Sequence, residues 1–155
     1  MNQGMQITSS AFGNNTPIPD KYTCSGEGIS PPLNFSDIPE DTKSLALIVS
    51  DPDSVGKIPF YHWVVFNMNP SIKSIDEGAT PPGSKIGEND FGKNSYGAPC
   101  PPHGTGVHRY LFDLFALDTR LDLDEGISAK RILDEISNHT IKTSRLIGLY
   151  TDKIY

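Results

Sequence analysis

Two histidines, an aspartate and a tyrosine stand at the ends of hydrophobic runs in this chain. His108 and Tyr110 open HRYLFDLFALD (108–118), directly after the proline- and glycine-rich loop GAPCPPHGTGV (97–107). His62 opens HWVVFNM (62–68), and Asp51 closes SLALIVSD (44–51). An imidazole, with an ordinary pKa near ~6.5, supplies N–H donors around neutral pH without a permanent cation, and a phenol adds a hydroxyl donor. A carboxylate beside an imidazole orients the ring and favours its protonated form, leaving the second ring nitrogen for a ligand. Such a set suits a small anion. Charge-assisted hydrogen bonds are worth about 1.5–3 kcal/mol each, so two or three hold such a ligand at micromolar to millimolar strength.

The positioning elements follow from strand periodicity, since successive side chains point to opposite faces. Leu45, Leu47, Val49 and Asp51 share one face; His62, Val64, Phe66 and Met68 share another; His108, Tyr110, Phe112 and Leu114 share a third. Asp51 ends its run whereas the other three groups begin theirs. Antiparallel pairing of the first run with the second and third therefore brings all four to one end of a sheet, rimmed by PDSVGKIPFY (52–61) and APCPPHGTG (98–106). Pro99, Pro101 and Pro102 lack an N–H and act as rigid walls rather than an amide nest, and Gly97 and Gly104 allow close backbone approach. A single histidine at a strand end is ordinarily structural, and DPDS by itself is ordinary turn chemistry. The convergence of four such groups is the stronger signal.

The rest of the chain sets the frame. Its 155 residues read as one domain over 1–155, with no repeat or linker. Thirteen prolines and fourteen glycines scattered along it favour a turn-rich all-β fold. MQITSSAF (5–12) reads as an edge strand, and RLIGLYTDKIY (145–155) as a returning last strand. SAKRILDEIS (128–137) predicts one amphipathic helix, with Ser128 as N-cap and Ala129, Ile132, Leu133 and Ile136 on its apolar side. The segment 70–106 is long for a loop, which points to function or to short strands within it. A net charge of −6 and no basic stripe argue against nucleic acid, and a mean hydropathy of −0.35 argues against membrane integration.

The opening residues carry no signal-like segment, so the expected compartment is the cytoplasm, and Cys24 and Cys100 are expected as two free thiols rather than a bridge. Arg109 alternates away from His108 and Tyr110 and is expected in a structural ion pair with Asp53 or Asp113. His103 and His139 are expected to be solvated. A rival reading is a metal-assisted or metal-independent hydrolase built on Asp51, Asp53, His62 and His108. No GxSxG, HExxH or P-loop motif supports it.

DPDS followed by YHWVVFN (61–67), and later YGAPCPPHGTGVHRYLFDLFAL (96–117), resemble the two signature regions of the phosphatidylethanolamine-binding protein family. YTCSGEGISPPLNFSDIP (22–39) and TKSLALIVSDPD (42–53) resemble its bacterial, Raf kinase inhibitor-like branch. The resemblance implies an antiparallel two-sheet β-sandwich with Greek-key connections, a flanking helix and an anion-binding cleft at one end. By position, Asp51, His62, His108 and Tyr110 match the family's cleft residues, and Tyr96, Gly97, Ala98, Pro101 and Pro102 fall where the family lines the cleft mouth. It further implies no enzymatic activity, no cofactor and no metal. The expected ligand is a phosphate or a phosphorylethanolamine-type headgroup, with a kinase or protease as a protein partner and a homodimer as an assembly compatible with the bacterial branch. Tyr61 departs from animal members that carry a second histidine there.

Overall fold

A computed structural model describes residues 4–152; the outermost three residues at each end of the 1–155 span, including the end of the expected last strand, lie outside the described residues. Three long strands form the frame. SLALIVSD becomes β4 (Ser44–Asp51), HWVVFNM lies within β5 (Phe60–Met68), and the third run is β8 (His108–Leu117). β4 runs between the other two and is antiparallel to both, so its C-terminal end meets the N-terminal ends of β5 and β8. Every residue of β4 is buried. That explains why its sequence is a continuous apolar run rather than an alternation, since both faces of this strand are covered.

The chain builds two sheets. The smaller joins β1 (Gln6–Thr8), β3 (Leu33–Ser36) and β6 (Ser74–Ile75). The larger adds β2 (Thr16–Pro17), β7 (Lys85–Ile86) and β9 (Thr140–Tyr150) to the three long strands, in the order β2-β9-β8-β4-β5-β7. The short strands β6 and β7 resolve the long segment 70–106. The expectation of purely antiparallel sheets is corrected at one place: β2 runs parallel to β9, pairing Thr16 with Gly148 and Pro17 with Leu149. A two-residue strand reached through a loop has no hairpin to impose direction, and it simply extends the sheet edge beside Ile18, whose N–H bonds to Leu149 O at 2.7 Å.

One hydrophobic cluster fills the space between the sheets, with Ile7, Leu33 and Phe35 of the smaller meeting Leu47, Val49, Val65, Phe112 and Leu114 of the larger. A second cluster lies on the other face of the large sheet, where Ala46, Ile48, Val64 and Phe66 are covered by α1 (Ala129–Ile136). Ser128 caps this helix by accepting from the Arg131 N–H at 3.2 Å, and Ala129, Ile132 and Ile136 are its buried side. Each buried isoleucine contributes about 1.5–3 kcal/mol through removal of its side chain from water.

β5 does not alternate as a regular strand. Val49 faces Trp63 but Ser50 faces Tyr61, which leaves His62 as an extra residue; Leu45 faces Met68 while Leu47 faces Val65, a second skip. At the second skip Asn67 adopts φ 56° and its amide clasps Leu121, donating to the carbonyl and accepting the N–H, both at 2.8 Å. The shared face expected for His62, Val64, Phe66 and Met68 is therefore corrected. Val64 and Phe66 point toward the helix, whereas Met68 joins the core between the sheets and His62 turns to the same side as Asp51. A bulge bends the strand and re-aims a side chain at a sheet end.

Candidate functional site

At the end of the large sheet the four spaced groups come together. Asp51, His62, His108 and Tyr110 are all buried and all line one cavity of about 160 Å³. Ser54 and Val55 of the loop after β4, Phe60, Phe91, Cys100, Pro101 and Pro102 complete its lining. His108 Nδ1 lies 2.7 Å from Asp51 Oδ2, while the other carboxylate oxygen accepts the Asp53 N–H at 2.8 Å. That second bond is an Asx turn, made possible by the DPD sequence itself, and it fixes the carboxylate without further help. The far side of the His108 ring is also engaged. Nε2 lies 2.8 Å from Thr105 Oγ1, and the Thr105 hydroxyl donates to Pro102 O at 2.7 Å. Both ring nitrogens of His108 are thus engaged, one by Asp51 and the other by Thr105.

His62 has a different environment. Its Nδ1 lies 2.7 Å from Gly97 O, and the Gly97 N–H returns a bond to His62 O at 2.8 Å. The rings of Phe60, Tyr110 and Phe91 surround it at centroid distances of 5.0, 5.2 and 5.5 Å. Burial pushes its pKa below the ordinary histidine value, opposed by the Gly97 carbonyl and by the Asp51 charge. Desolvation, and then the neighbouring Asp51 carboxylate, push the Tyr110 hydroxyl far up, so it remains a protonated donor.

Of the nine residues singled out in the sequence, six line the cavity and three stand behind its wall. Tyr96 packs edge-on against Trp63 at 5.4 Å and donates its hydroxyl to Tyr22 O at 2.8 Å. Gly97 supplies the backbone clasp on His62, and a Cβ built there would run into the Phe91 ring. Ala98 packs toward Gly28 on the 20–28 loop. Ser54, Val55, Phe60, Cys100 and Thr105 fall within the two expected rim segments, 52–61 and 98–106, without being singled out as site residues, and Phe91 lies outside both. Phe60 and Thr105 were within reach, each lying two or three residues before a histidine of interest, whereas Phe91 sits in a polar stretch with no periodic signal.

Other expectations are settled nearby. Arg109 takes Asp53, with Nε and Nη2 both at 2.9 Å and its backbone N–H also at 2.9 Å. Asp113 pairs instead with Arg145. Asp53 is thereby held by Arg109 on the exposed side, away from the ligand set imagined with Asp51 and His62. No group of three or more His, Cys, Asp or Glu among the described residues is arranged to hold a metal ion. His103 and His139 are not merely solvated; they pair with Asp152 and Asp118 at 2.9 and 2.8 Å. The free-thiol expectation is overturned, because Cys24 and Cys100 form a disulfide with Cα atoms 5.3 Å apart. The compartment argument could not see that the Cys24 N–H bonds to Pro99 O at 3.0 Å, which lays the two segments side by side. Among the described residues no helix is long and apolar enough to cross a membrane.

The family description "Phosphatidylethanolamine-binding protein" matches residues 8–151. A UPF0098 protein of Methanothermobacter thermautotrophicus is 46% identical over 151 residues, covering 94% of this chain and 98% of the relative. The crystal structure of a phosphatidylethanolamine-binding protein homolog from Chlamydia trachomatis superposes with a TM-score of 0.92 at 42% identity, covering 98% of this chain and all of that one. E. coli YbcL, described as a member of the mammalian family, superposes at 0.90 with 30% identity, covering 96% of this chain and 99% of its own. The chain belongs to the phosphatidylethanolamine-binding protein family.

Proposed function

We propose that this protein binds a small oxyanion, a phosphate, a carboxylate or the phosphate of a phosphorylethanolamine-type headgroup, in the cavity around Asp51, His62, His108 and Tyr110, and releases it chemically unchanged. The observation that carries the reading is the buried Asp51–His108 pair opening onto a cavity of about 160 Å³ walled by aromatic rings and prolines. That volume equals roughly five water molecules and falls below the ~300 Å³ typical of drug-sized ligand pockets, so it suits one headgroup rather than a whole lipid. Binding without turnover is supported by how the polar groups are occupied. The Ser54 hydroxyl donates to Lys57 O, and both nitrogens of His108 are engaged, so the nucleophile–base contact of a hydrolase is missing from this cluster.

A second reading is favoured by one observation. The exposed large apolar residues among those described are Val55, Ile58, Phe91 and Val107, and all four lie on segments around the cavity mouth. That distribution supports an anion presented by a larger body, such as a phosphorylated segment of a kinase or protease partner. The primary test is titration of phosphate and phosphorylethanolamine while the ring protons of His62 and His108 are followed by NMR. Saturable shifts of the His62 ring in the micromolar to millimolar range are expected. A flat response of both rings up to tens of millimolar ligand removes the proposal.

A further inference from the structure

The hydrogens of the cavity can be counted from its geometry. The Gly97 carbonyl can only accept, so at 2.7 Å the proton of neutral His62 must sit on Nδ1. Nε2 of His62 then presents a lone pair, and among the described residues it has no partner. Both ring nitrogens of His108 are already engaged, by Asp51 and by Thr105. Such a cavity, although assembled from residues chosen as donors, offers an anion an acceptor where the expected donor should be. A fully ionised oxyanion laid against His62 Nε2 would meet lone pair against lone pair.

We infer that the cavity takes up its oxyanion together with one proton, which lies between His62 Nε2 and the ligand oxygen, and that the Gly97 carbonyl imposes this requirement by fixing the other ring nitrogen as a donor. The inference rests on the oxyanion reading above and sharpens it. The site favours oxyanions that carry a proton near neutral pH, such as hydrogen phosphates, over permanently ionised ones such as sulfate, which must draw their proton from solvent. The groups facing His62 agree with a ring that is neutral when the cavity is empty and charged when it is filled. Asp51 on β4 and Asp90 in the loop after β7 favour the charged ring. His108 on β8 opposes it, and the Phe60, Phe91 and Tyr110 rings exclude the water that would solvate it. Burial holds the empty-state value below that of ordinary histidine, so the proton is absent at neutral pH until an anion supplies the missing charge.

The test uses sulfate and inorganic phosphate as probes, with isothermal titration calorimetry at pH 8 in two buffers of different ionisation enthalpy. Uptake of about one proton per bound sulfate is expected. Its affinity should fall about tenfold per pH unit between pH 7 and 8.5, because one proton is linked to binding. His62→Gln provides an amide donor that does not titrate, so sulfate should bind this variant with no proton uptake and a flat pH profile. If that variant does not fold, the wild-type slope and proton count decide alone. Sulfate bound at pH 8 with no proton uptake and a level pH profile overturns the inference while leaving oxyanion binding intact. Failure of both probes to bind at any pH from 5 to 8.5 overturns the oxyanion reading itself, and the inference with it.

Discussion

Asp51 and Asp53 are separated by one proline, and the two residues they hold, His108 and Arg109, are neighbours on β8. The two pairs nevertheless live in different solvents. The Asp51 and His108 side chains are 5% and 1% exposed, whereas those of Asp53 and Arg109 are 29% and 53% exposed. Strand alternation sends one pair into the cavity and the other to the surface. The inner pair is expensive to desolvate and is tolerated because an Asx turn and Thr105 satisfy its remaining polar atoms. The outer pair forms with better hydrogen-bond geometry, a bidentate fork, yet water and salt screen it. Geometry alone therefore does not rank the two; the surroundings do.

The comparison breaks most visibly at its inner member. Asp51→Ala leaves His108 Nδ1 without its carboxylate partner in a closed space, and urea unfolding should show a loss of about 3–5 kcal/mol. Phosphate binding should disappear with it. A loss under 1 kcal/mol would mean that the buried pair is as dispensable as the surface one. Replacing both Cys24 and Cys100 by serine releases the wall that carries Pro101 and Pro102. Because 76 residues separate the cysteines, a loss of about 2–4 kcal/mol is expected in the same assay. Gly97→Ala pushes a methyl group into the Phe91 ring, and overpacking of this kind costs about 1–3 kcal/mol. Its thermal melt should fall accordingly, and weaker phosphate binding should report displacement of the Gly97 carbonyl from His62.

Smaller effects sharpen the contrast through pH. The folded-state pKa of His62 is depressed, so below about pH 6.5 the unfolded chain binds the proton first. Stability should therefore decline as pH falls from 6.5 toward the folded value, and level off above 6.5. Asp53 behaves oppositely in origin but not in sign. The Arg109 guanidinium lowers its pKa, and its stabilising share is present above about pH 4 and lost as pH falls through the folded value. Its removal should be the least damaging change of all. Asp53→Asn keeps an acceptor for the Arg109 N–H and should move the melting temperature by no more than about 2 °C, with the difference shrinking in high salt.

Much of this arrangement was legible in the residues themselves. The long strands, the capped helix and the gathering of Asp51, His108 and Tyr110 at one sheet end follow from period-two and period-3.6 patterns. His62 reached the cluster for a reason the pattern did not contain. Regular alternation groups it with Val64 and Phe66, which in fact face the helix, and only the extra residue in β5 turns it inward. The parallel β2 pairing and the disulfide were invisible for a related cause, since both depend on where loops return in space rather than on any local preference. The engagement of both His108 nitrogens was equally hidden. It needs Thr105 to be folded back under Pro102, a tertiary fact with no period.

The bulge in β5 also means that the site depends on a count as well as on chemical identity. Every residue of the cluster can be kept, yet a single insertion or deletion in β5 beside His62 that restores regular pairing would turn its imidazole toward the helix face while the strand survives. Substitution scanning is blind to that dependence. A series of single-residue deletions and insertions along Phe60–Met68 would expose it, with tolerance changing abruptly on either side of His62.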